Sequence, residues 1–234
     1  MRRHSEGVED PVALAGPRIP WVGGWTVERV IQTLEPFVNA ERRTRLQEVF
    51  AARLASVTVV MDAPHDPHNG AAILRTCDAM GVPEVHVVRR DESLLVVRKV
   101  AKGTERWVDV TEHASPEAAI LALADRGFAL AATHPEGTLE PDDLATIPKL
   151  ALVLGNERDG IREQLLSHAR YTVRVPMRGF VESLNVSVAA GILLAAATRG
   201  RPGDLPTPTR DLLYARGLFH SLPRAQDILN AAAE

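Results

Sequence analysis

Residues 56–88 read SVTVVMDAPHDPHNGAAILRTCDAMGVPEVHVV, and this stretch decides the fold class. The β-branched run SVTVVMDA predicts a strand, and EVHVV predicts a second one. Between them, NGAAILRTCDAM has the apolar spacing of a helix, and Gly81 follows it as a typical helix-ending residue. Two strands joined through a helix pair in parallel, because the helix carries the chain back to the start of the sheet. The stretch therefore predicts an α/β fold.

The same alternation continues along the chain. The segments WVDVTE, FALAATH, KLALVLGNE and YTVRVPM read as strands, while SPEAAILALADRG and RDGIREQLLSHA read as helices. Ser115 is the expected N-cap of the first of these helices, with Pro116 at its first position. Repeated βαβ units predict a parallel sheet. Neither a G-x-G-x-x-G nor a G-x-x-x-x-G-K-[ST] pattern occurs, which argues against dinucleotide dehydrogenases and P-loop NTPases.

Both ends of the chain look different from the centre. Residues 1–22 are rich in proline, glycine and charge and are expected to be a poorly ordered extension. Residues 23–55 predict two amphipathic helices, TVERVIQTLEPFV and NAERRTRLQEVFAARL, the second capped by Asn39. The α/β domain is expected over residues 56–200. Residues 201–234 then predict a helical tail of two helices that are split near Pro223.

Composition limits the function classes. The 234 residues carry a net charge of -3, so the overall charge does not indicate a nucleic-acid-binding protein. Residues 89–106 are locally basic, with six basic and three acidic side chains. Apolar runs are shorter than the roughly 20 residues of a membrane span. The first residues resemble no signal peptide. Cys77 is the only cysteine, which excludes an intrachain disulfide and favours a cytoplasmic location.

The most apolar part of the chain follows the last predicted strand. Residues 179–197 read GFVESLNVSVAAGILLAAA, and Ser187 is the one polar residue between Val186 and Ala197. Such a helix is expected to be buried on most sides. Ser183 is its expected N-cap. Polar residues stand only at the mouth of this helix, which suggests a binding site there.

Polar side chains also follow three predicted strands, in DAPHDPHNGAAILRT, LVLGNERDGI and VPMRGFVESLN. Ligands of parallel α/β sheets gather at these carboxyl ends. Three of these residues also have a purely structural interpretation. Asn69 could cap a helix, and Arg75 could be an ordinary surface residue. Glu157 could stabilise the start of a helix, because a negative charge is favourable there. The candidates are Asn69, Arg75, Gly155, Glu157, Ser183 and Asn185.

Other reactive side chains carry weaker signals. His65 and His68 do not follow a zinc-binding pattern, and no second ligand pair accompanies them, so we expect no metal. Cys77 lies inside a predicted helix and is expected to be a buried structural thiol rather than a nucleophile.

The three strand ends, taken in order, resemble the three motifs of the SPOUT superfamily, and more narrowly of the TrmH (SpoU) branch of RNA ribose 2'-O-methyltransferases. The matching stretches are PHNGAAILRTCDAMGVPEVHVV, LVLGNERDGI and VPMRGFVESLNVSVAAGILL, and the resemblance covers roughly residues 40–200. Within the branch, the motifs are most similar to those of enzymes that methylate a D-loop guanosine of tRNA. Those enzymes have PMxGMVQSLN, so Arg178, Phe180 and Glu182 are departures.

The resemblance implies a parallel sheet with a C-terminal deep trefoil knot, S-adenosyl-L-methionine held in the knot, and an obligate homodimer whose interface includes the apolar helix. The implied catalytic residues are Arg75, Asn69, Glu157, Ser183 and Asn185. The implied cofactor-binding residues, acting largely through their backbone, are Leu154, Gly155, Asn156, Val175, Pro176, Met177, Gly179 and Leu184. Lys102 and Arg106, in the basic run that is expected to border a strand end of the site, are the implied RNA contacts.

Two roles are open for Arg75. The family's proposals make this arginine the base for the ribose hydroxyl. A guanidinium holds its proton at neutral pH, which favours a fork on the adjacent phosphate that orients the ribose. Three alternatives are also open for the whole chain: a ribosomal RNA methyltransferase of the same branch, a non-catalytic RNA-binding relative, and an α/β enzyme of unrelated chemistry.

Overall fold

The computed structural model describes residues 19–89, 106–156 and 158–233. Its strands are β1 (Val57–Asp62), β2 (Glu84–Val88), β3 (Asp109–His113), β4 (Ala129–Thr133), β5 (Leu150–Leu154) and β6 (Tyr171–Val173). Its α-helices are α1 (Val27–Leu34), α2 (Ala40–Ala51), α3 (Pro67–Ala79), α4 (Pro116–Asp125), α5 (Glu163–Ser167), α6 (Val186–Thr198), α7 (Thr207–Ser221) and α8 (Ala225–Ala231). Two 3₁₀ helices, Glu35–Phe37 and Pro141–Thr146, complete the described elements.

All six strands form one parallel sheet in the order β3-β2-β1-β5-β4-β6. The predicted α/β class with a parallel sheet is confirmed. From β1 the chain moves outward to β2 and β3, and the later strands fill the other side. The strand order therefore switches direction between β1 and β5, where crevices for ligands form in open α/β sheets.

Helices cover both faces of the sheet. On one face, α3 and α6 pack over alternate residues of the central strands, such as Val59 and Leu152. On the other face, α4 and α5 cover the intervening residues, such as Val60 and Val153. Burial on both faces explains why the central strands are almost continuously apolar.

The helices at the two chain ends form a separate core. Phe50 of α2 and Leu218 of α7 are buried in this cluster together with α1 and α8. Trp21, at the edge of the stretch expected to be poorly ordered, is also buried there, and its indole Nε1 donates to the carbonyl of Trp25 (3.3 Å). The domain boundaries expected at residues 22, 55 and 200 stay a prediction.

Most predicted elements are found, with two differences. The helix predicted from RDGIREQLLSHA is formed over Glu163–Ser167 alone, because the residues before it belong to a turn. The last strand is also shorter than predicted, since β6 ends at Val173. Asn39, Ser115 and Pro116 have the predicted capping positions. No helix within the described residues is both long and apolar enough to cross a membrane.

Candidate active site

The candidate active site lies at the carboxyl ends of β1 and β5, which are neighbours in the sheet. Met61 and Leu154 are paired across these two strands, so the loops that follow leave the sheet side by side. A small cavity between the loops contains the predicted residues Asn69, Leu154, Gly155 and Asn156 in its wall. Its volume of about 10 Å³ admits a group no larger than a water molecule or a methyl.

The first motif turns sharply after β1. Ala63 has a φ of 48°, a left-handed conformation that is unusual for a residue with a Cβ. The chain then enters α3, whose N-cap is Asp66, with its carboxylate accepting from the amide of His68 (2.8 Å). Asn69 is therefore not the cap, and the half-buried side chain of this first-turn residue reaches the cavity.

Asn69 and Asn185 join the first and third motifs directly. The Nδ2 of Asn185 donates to the Oδ1 of Asn69 at 3.0 Å, although the residues are 116 positions apart. Asn185 is the N-cap of α6, and its Oδ1 accepts from both the amide (2.8 Å) and the Oγ (2.6 Å) of Ser187. The expectation that Ser183 caps this helix was wrong, because α6 begins two residues later than that requires. Ser183 is exposed in the preceding loop.

The second motif forms a compact turn after β5. Asn156 and Gly160 exchange two backbone hydrogen bonds (3.1 Å each), and the Asn156 Oδ1 accepts from the amides of Arg158 and Asp159 (2.9 Å each). A Cβ on Gly155 would lie 2.4 Å from the carbonyl carbon of Gly160, so the turn requires glycine there. The predicted residue Glu157 lies outside the described residues.

The third-motif loop offers free backbone groups. Among the described residues, no backbone–backbone hydrogen bond involves residues 175–184. Val175, Met177 and Leu184 are half-buried, while Pro176 and Gly179 are exposed. None of these five predicted cofactor-binding residues lines the small cavity, although Val186, two residues after Leu184, does.

Arg75 lies on the exposed side of α3. Its guanidinium makes no hydrogen bond or ion pair within the described part of the chain. All of its donors are therefore available to a ligand, as either proposed role requires.

Of the two predicted RNA contacts, the structure describes Arg106. Lys102 lies outside the described residues. Arg106 is exposed but precedes β3, so it lies at the amino-terminal edge of the parallel sheet. The expectation that the basic run borders the strand ends of the site was therefore wrong for Arg106, whereas Arg89 does directly follow β2. Arg106 instead lies near His220 of α7 and lowers the pKa of that histidine, after the larger effect of burial.

Other candidates are structural or lie away from the site. Cys77 is fully buried, and burial raises the pKa of its thiol well above the usual range, as expected of an inert thiol. His65 and His68 are exposed. Within residues 19–89, 106–156 and 158–233, no group of three or more potential ligand side chains could hold a metal ion. A larger cavity of about 710 Å³ lies at the amino-terminal edge and contains none of the predicted site residues.

Sequence reasoning missed two residues of this site. Asp62 ends β1 with a fully buried side chain and forms an ion pair with Arg162 (2.5 Å), which stands just before α5. The signal for Asp62 was present, since it is the one acid in an otherwise uncharged strand. Nothing in the sequence pairs it with Arg162.

The comparisons with known proteins agree with this arrangement. The SpoU rRNA Methylase family matches residues 56–195. The tRNA (guanosine(18)-2'-O)-methyltransferase of Thermus thermophilus is 37% identical over 161 residues, covering 68% of this chain and 83% of that protein. The Escherichia coli protein of the same name is 35% identical over 165 residues, covering 70% and 72%.

Solved structures give the same result. The crystal structure of the Aquifex aeolicus TrmH/SpoU tRNA modifying enzyme superimposes with a TM-score of 0.69 at 28% identity, covering 82% of this chain and 99% of that one. The SpoU methyltransferase AviRb of Streptomyces viridochromogenes, in complex with AdoMet, has a TM-score of 0.56 at 26% identity, covering 65% and 60%. Fold and site thus define a SpoU-type methyltransferase. This chain belongs to the SpoU rRNA Methylase family.

Replacing Asn185 by alanine is expected to remove an N-cap and the Asn69 contact together. The cap should account for about 1 kcal/mol of stability. The methyl-transfer rate should also fall, because Asn69 loses the donor that orients it. Asn39→Ala, which removes the cap of α2 (2.8 Å to the amide of Arg42), is the matched control. Thermal unfolding and single-turnover methylation of both variants check this, and equal rates in the two would contradict it.

Proposed function

We propose that this protein transfers a methyl group from S-adenosyl-L-methionine to the 2'-hydroxyl of a ribose in tRNA, at a D-loop guanosine. The hydrogen bond between Asn69 and Asn185 carries the proposal, because it joins two of the three motifs at one strand edge. Arg75, on the same helix as Asn69, makes no hydrogen bond or ion pair within the described residues. The named tRNA (guanosine(18)-2'-O)-methyltransferases support the choice of RNA and nucleotide. We also propose a cytoplasmic location.

The residues present fit S-adenosyl-L-methionine. The loop of residues 175–184, whose amides and carbonyls make no backbone–backbone hydrogen bond among the described residues, offers these groups to the polar edge of an adenine. Leu154 supplies an apolar wall, and Gly155, which has no Cβ, allows the backbone of Gly160 to lie close to it in the turn after β5. When bound, this cofactor supplies a methyl group on a positively charged sulfur.

The protein's task is alignment, since an in-line displacement needs the oxygen, methyl carbon and sulfur in a row. Arg75 would grip the phosphate next to the target ribose and stabilise the developing charge on the 2'-oxygen. Asn69, held by Asn185, would fix the hydroxyl from the other side. Ser183 and Glu157 would complete the pocket. The hydroxyl proton leaves as the new bond forms, either to Arg75 acting as base or to solvent.

The trefoil knot is part of this proposal. The segment after β4 lies against the end of β6, where His134 and Leu139 donate to the carbonyls of Val173 and Thr172 (2.9 Å each). A Cβ on Gly137 would lie 2.4 Å from the carbonyl carbon of Val173. The same segment leads into the 3₁₀ helix that packs against α6. A chain threaded through a loop requires such close backbone approach, so this packing supports the proposed knot. Tracing the chain in an experimental electron-density map tests whether the knot is present.

We propose a homodimer that buries the exposed side of α6. Val188 is 50% exposed, Ile192 is 40% exposed and Ala195 continues the stripe, while the rest of this apolar helix is largely buried. Ile192→Glu is expected to give monomers in analytical ultracentrifugation, because a charge cannot be buried there unpaired. Leu121→Glu alters an equally apolar, 65% exposed position on α4 and should leave the dimer intact. A wild-type monomer at micromolar concentration would contradict the proposal.

The RNA-binding surface is proposed to include Lys102 and Arg106. Since Arg106 lies near His220 of α7, the RNA-binding surface would extend from the site to the terminal helices. Each alanine variant should weaken tRNA binding and flatten the slope of log K against log salt by about one unit, because one phosphate contact is lost. Cofactor affinity should not change. An unchanged slope would move the RNA surface elsewhere.

Labelled S-adenosyl-L-methionine tests the proposed reaction. The protein is incubated with separate pools of tRNA and ribosomal RNA, and the modified ribose is mapped. Label in tRNA supports the proposal. Label in ribosomal RNA alone would favour the other substrate of the branch, and binding of RNA without label would favour a non-catalytic relative.

A further inference from the structure

Asp62 and Arg162 form a buried contact between two motifs. The Asp62 side chain has no exposed surface, and the costly burial of its charge requires compensation. Arg162 provides it from two sides. The Arg162 backbone amide donates to Oδ2 (2.7 Å), and Nε donates to Oδ1 (2.7 Å), which also lies 2.5 Å from Nη2.

This contact holds the turn that follows β5. Arg162 is the residue between that turn and α5, and the turn is closed internally by Asn156 and Gly160. Because the turn is a compact unit, a shift at Arg162 moves Gly155 as well. Asp62, Gly155 and Asn156 all line the small cavity of the site. The ion pair therefore sets the separation between two walls of this cavity.

Arg162 also reaches a third strand end. Its Nη1 donates to the carbonyl of Arg89 (3.4 Å), directly after β2, and Arg89 pairs with Glu112 of β3 (2.6 Å). The planar guanidinium donates from Nε to Asp62 and from Nη1 to the carbonyl of Arg89 at once, whereas the single nitrogen of a lysine ammonium cannot occupy both donor positions. The residue type at position 162 thus matters beyond its charge.

We propose that Asp62 and Arg162 are positioning residues for cofactor binding: they hold the turn after β5 against the end of β1 without touching the substrate. The inference rests on the proposed function only in that the ligand is S-adenosyl-L-methionine. It assigns a role to two residues outside the recognised motif positions. Their loss should raise the cofactor dissociation constant and KM more than it lowers kcat.

Asp62→Asn and Arg162→Lys test the pair, and Asp109→Asn is the matched control. Asp109 also forms a buried pair, accepting from Nη1 (2.8 Å) and Nη2 (3.2 Å) of Arg216, but at the amino-terminal edge of the sheet. All three variants should unfold at lower temperature. Only the two site variants should raise the cofactor dissociation constant, by about tenfold or more, as small displacements of a binding group do. Saturating cofactor should restore most of their methyl-transfer rate.

Hydrogen exchange of the full-length protein without cofactor gives a second readout. The amides of residues 158–162 should exchange faster in Asp62→Asn and Arg162→Lys than in the wild type, and at the wild-type rate in Asp109→Asn. If the wild type fails to bind S-adenosyl-L-methionine, the proposed function fails and the positioning role for this cofactor fails with it, and exchange then reports only whether the pair holds the turn. If the wild type binds the cofactor, wild-type affinity in both site variants overturns this inference alone.

Cofactor affinity and exchange that match the Asp109→Asn variant would overturn the role. If Asp62→Asn does not fold, Arg162→Lys decides on the same criteria, because it keeps the charge and the backbone amide.

Discussion

Arg75→Ala is expected to lose most of the methyl-transfer rate, about a hundredfold or more, as for the removal of one preorganised donor. The side chain is exposed on α3 and makes no hydrogen bond or ion pair within the described part of the chain, so its removal should leave the fold intact. Thermal stability and cofactor affinity should therefore match the wild type. Single-turnover methylation of a full tRNA measures the rate.

Arg75→Lys separates the two roles of this residue. A phosphate fork predicts partial activity at all pH values, because lysine keeps the charge but not the bidentate geometry. A base role predicts that turnover recovers as pH rises, since an ammonium loses its proton more readily than a guanidinium. Arg210→Ala, at an exposed position of α7, controls for the loss of one surface charge. Wild-type turnover in Arg75→Ala would remove Arg75 from the mechanism.

Gly155→Ala is expected to abolish measurable cofactor binding and to lower stability. The added Cβ would meet the carbonyl carbon of Gly160 at 2.4 Å and its oxygen at 2.7 Å, and backbone atoms held by two hydrogen bonds cannot yield. The turn after β5 must then move away from the cavity wall that it forms. Calorimetric titration with S-adenosyl-L-methionine measures the loss.

Gly203→Ala is the matched control for this clash. A Cβ there would lie 1.7 Å from the carbonyl oxygen of Ala51, next to Asp204, which lines the cavity at the amino-terminal edge of the sheet and not the candidate site. Both variants should unfold at lower temperature, but the folded fraction of Gly203→Ala should keep its cofactor affinity. Wild-type affinity in Gly155→Ala would show that this turn does not form the cofactor site.

Much of the fold follows from local signals in the sequence. The βαβ alternation predicted the parallel sheet, and side-chain capping at Asn39 and Ser115 fixed two helix starts. Local signals also failed in identifiable ways. Ser183 is as good a cap as Asn185 by residue type, but Asn185 is the cap and also donates to Asn69 on α3, a tertiary contact that residue type alone does not reveal.

The place of the candidate site in the fold could be predicted from the sequence, but its contacts could not. Strand ends identified Asn69, Gly155 and Asn185, because the carboxyl edge of a parallel sheet collects loops. The partner of Asp62 is 100 residues away, and no periodicity links the two. Arg106 lies at the opposite edge from the one expected, because it precedes β3, whereas Arg89 at the other end of the basic run follows β2.

Methylation of a single defined ribose tests the central claim most directly. Two tRNA transcripts are compared, one unmodified and one with 2'-deoxyguanosine at the D-loop position that the named relatives methylate, and each is incubated with labelled S-adenosyl-L-methionine. The account predicts label in the first transcript, mapped to that ribose, and none in the second, with equal binding of both. Equal labelling of the two transcripts, or no labelling of either, would contradict it.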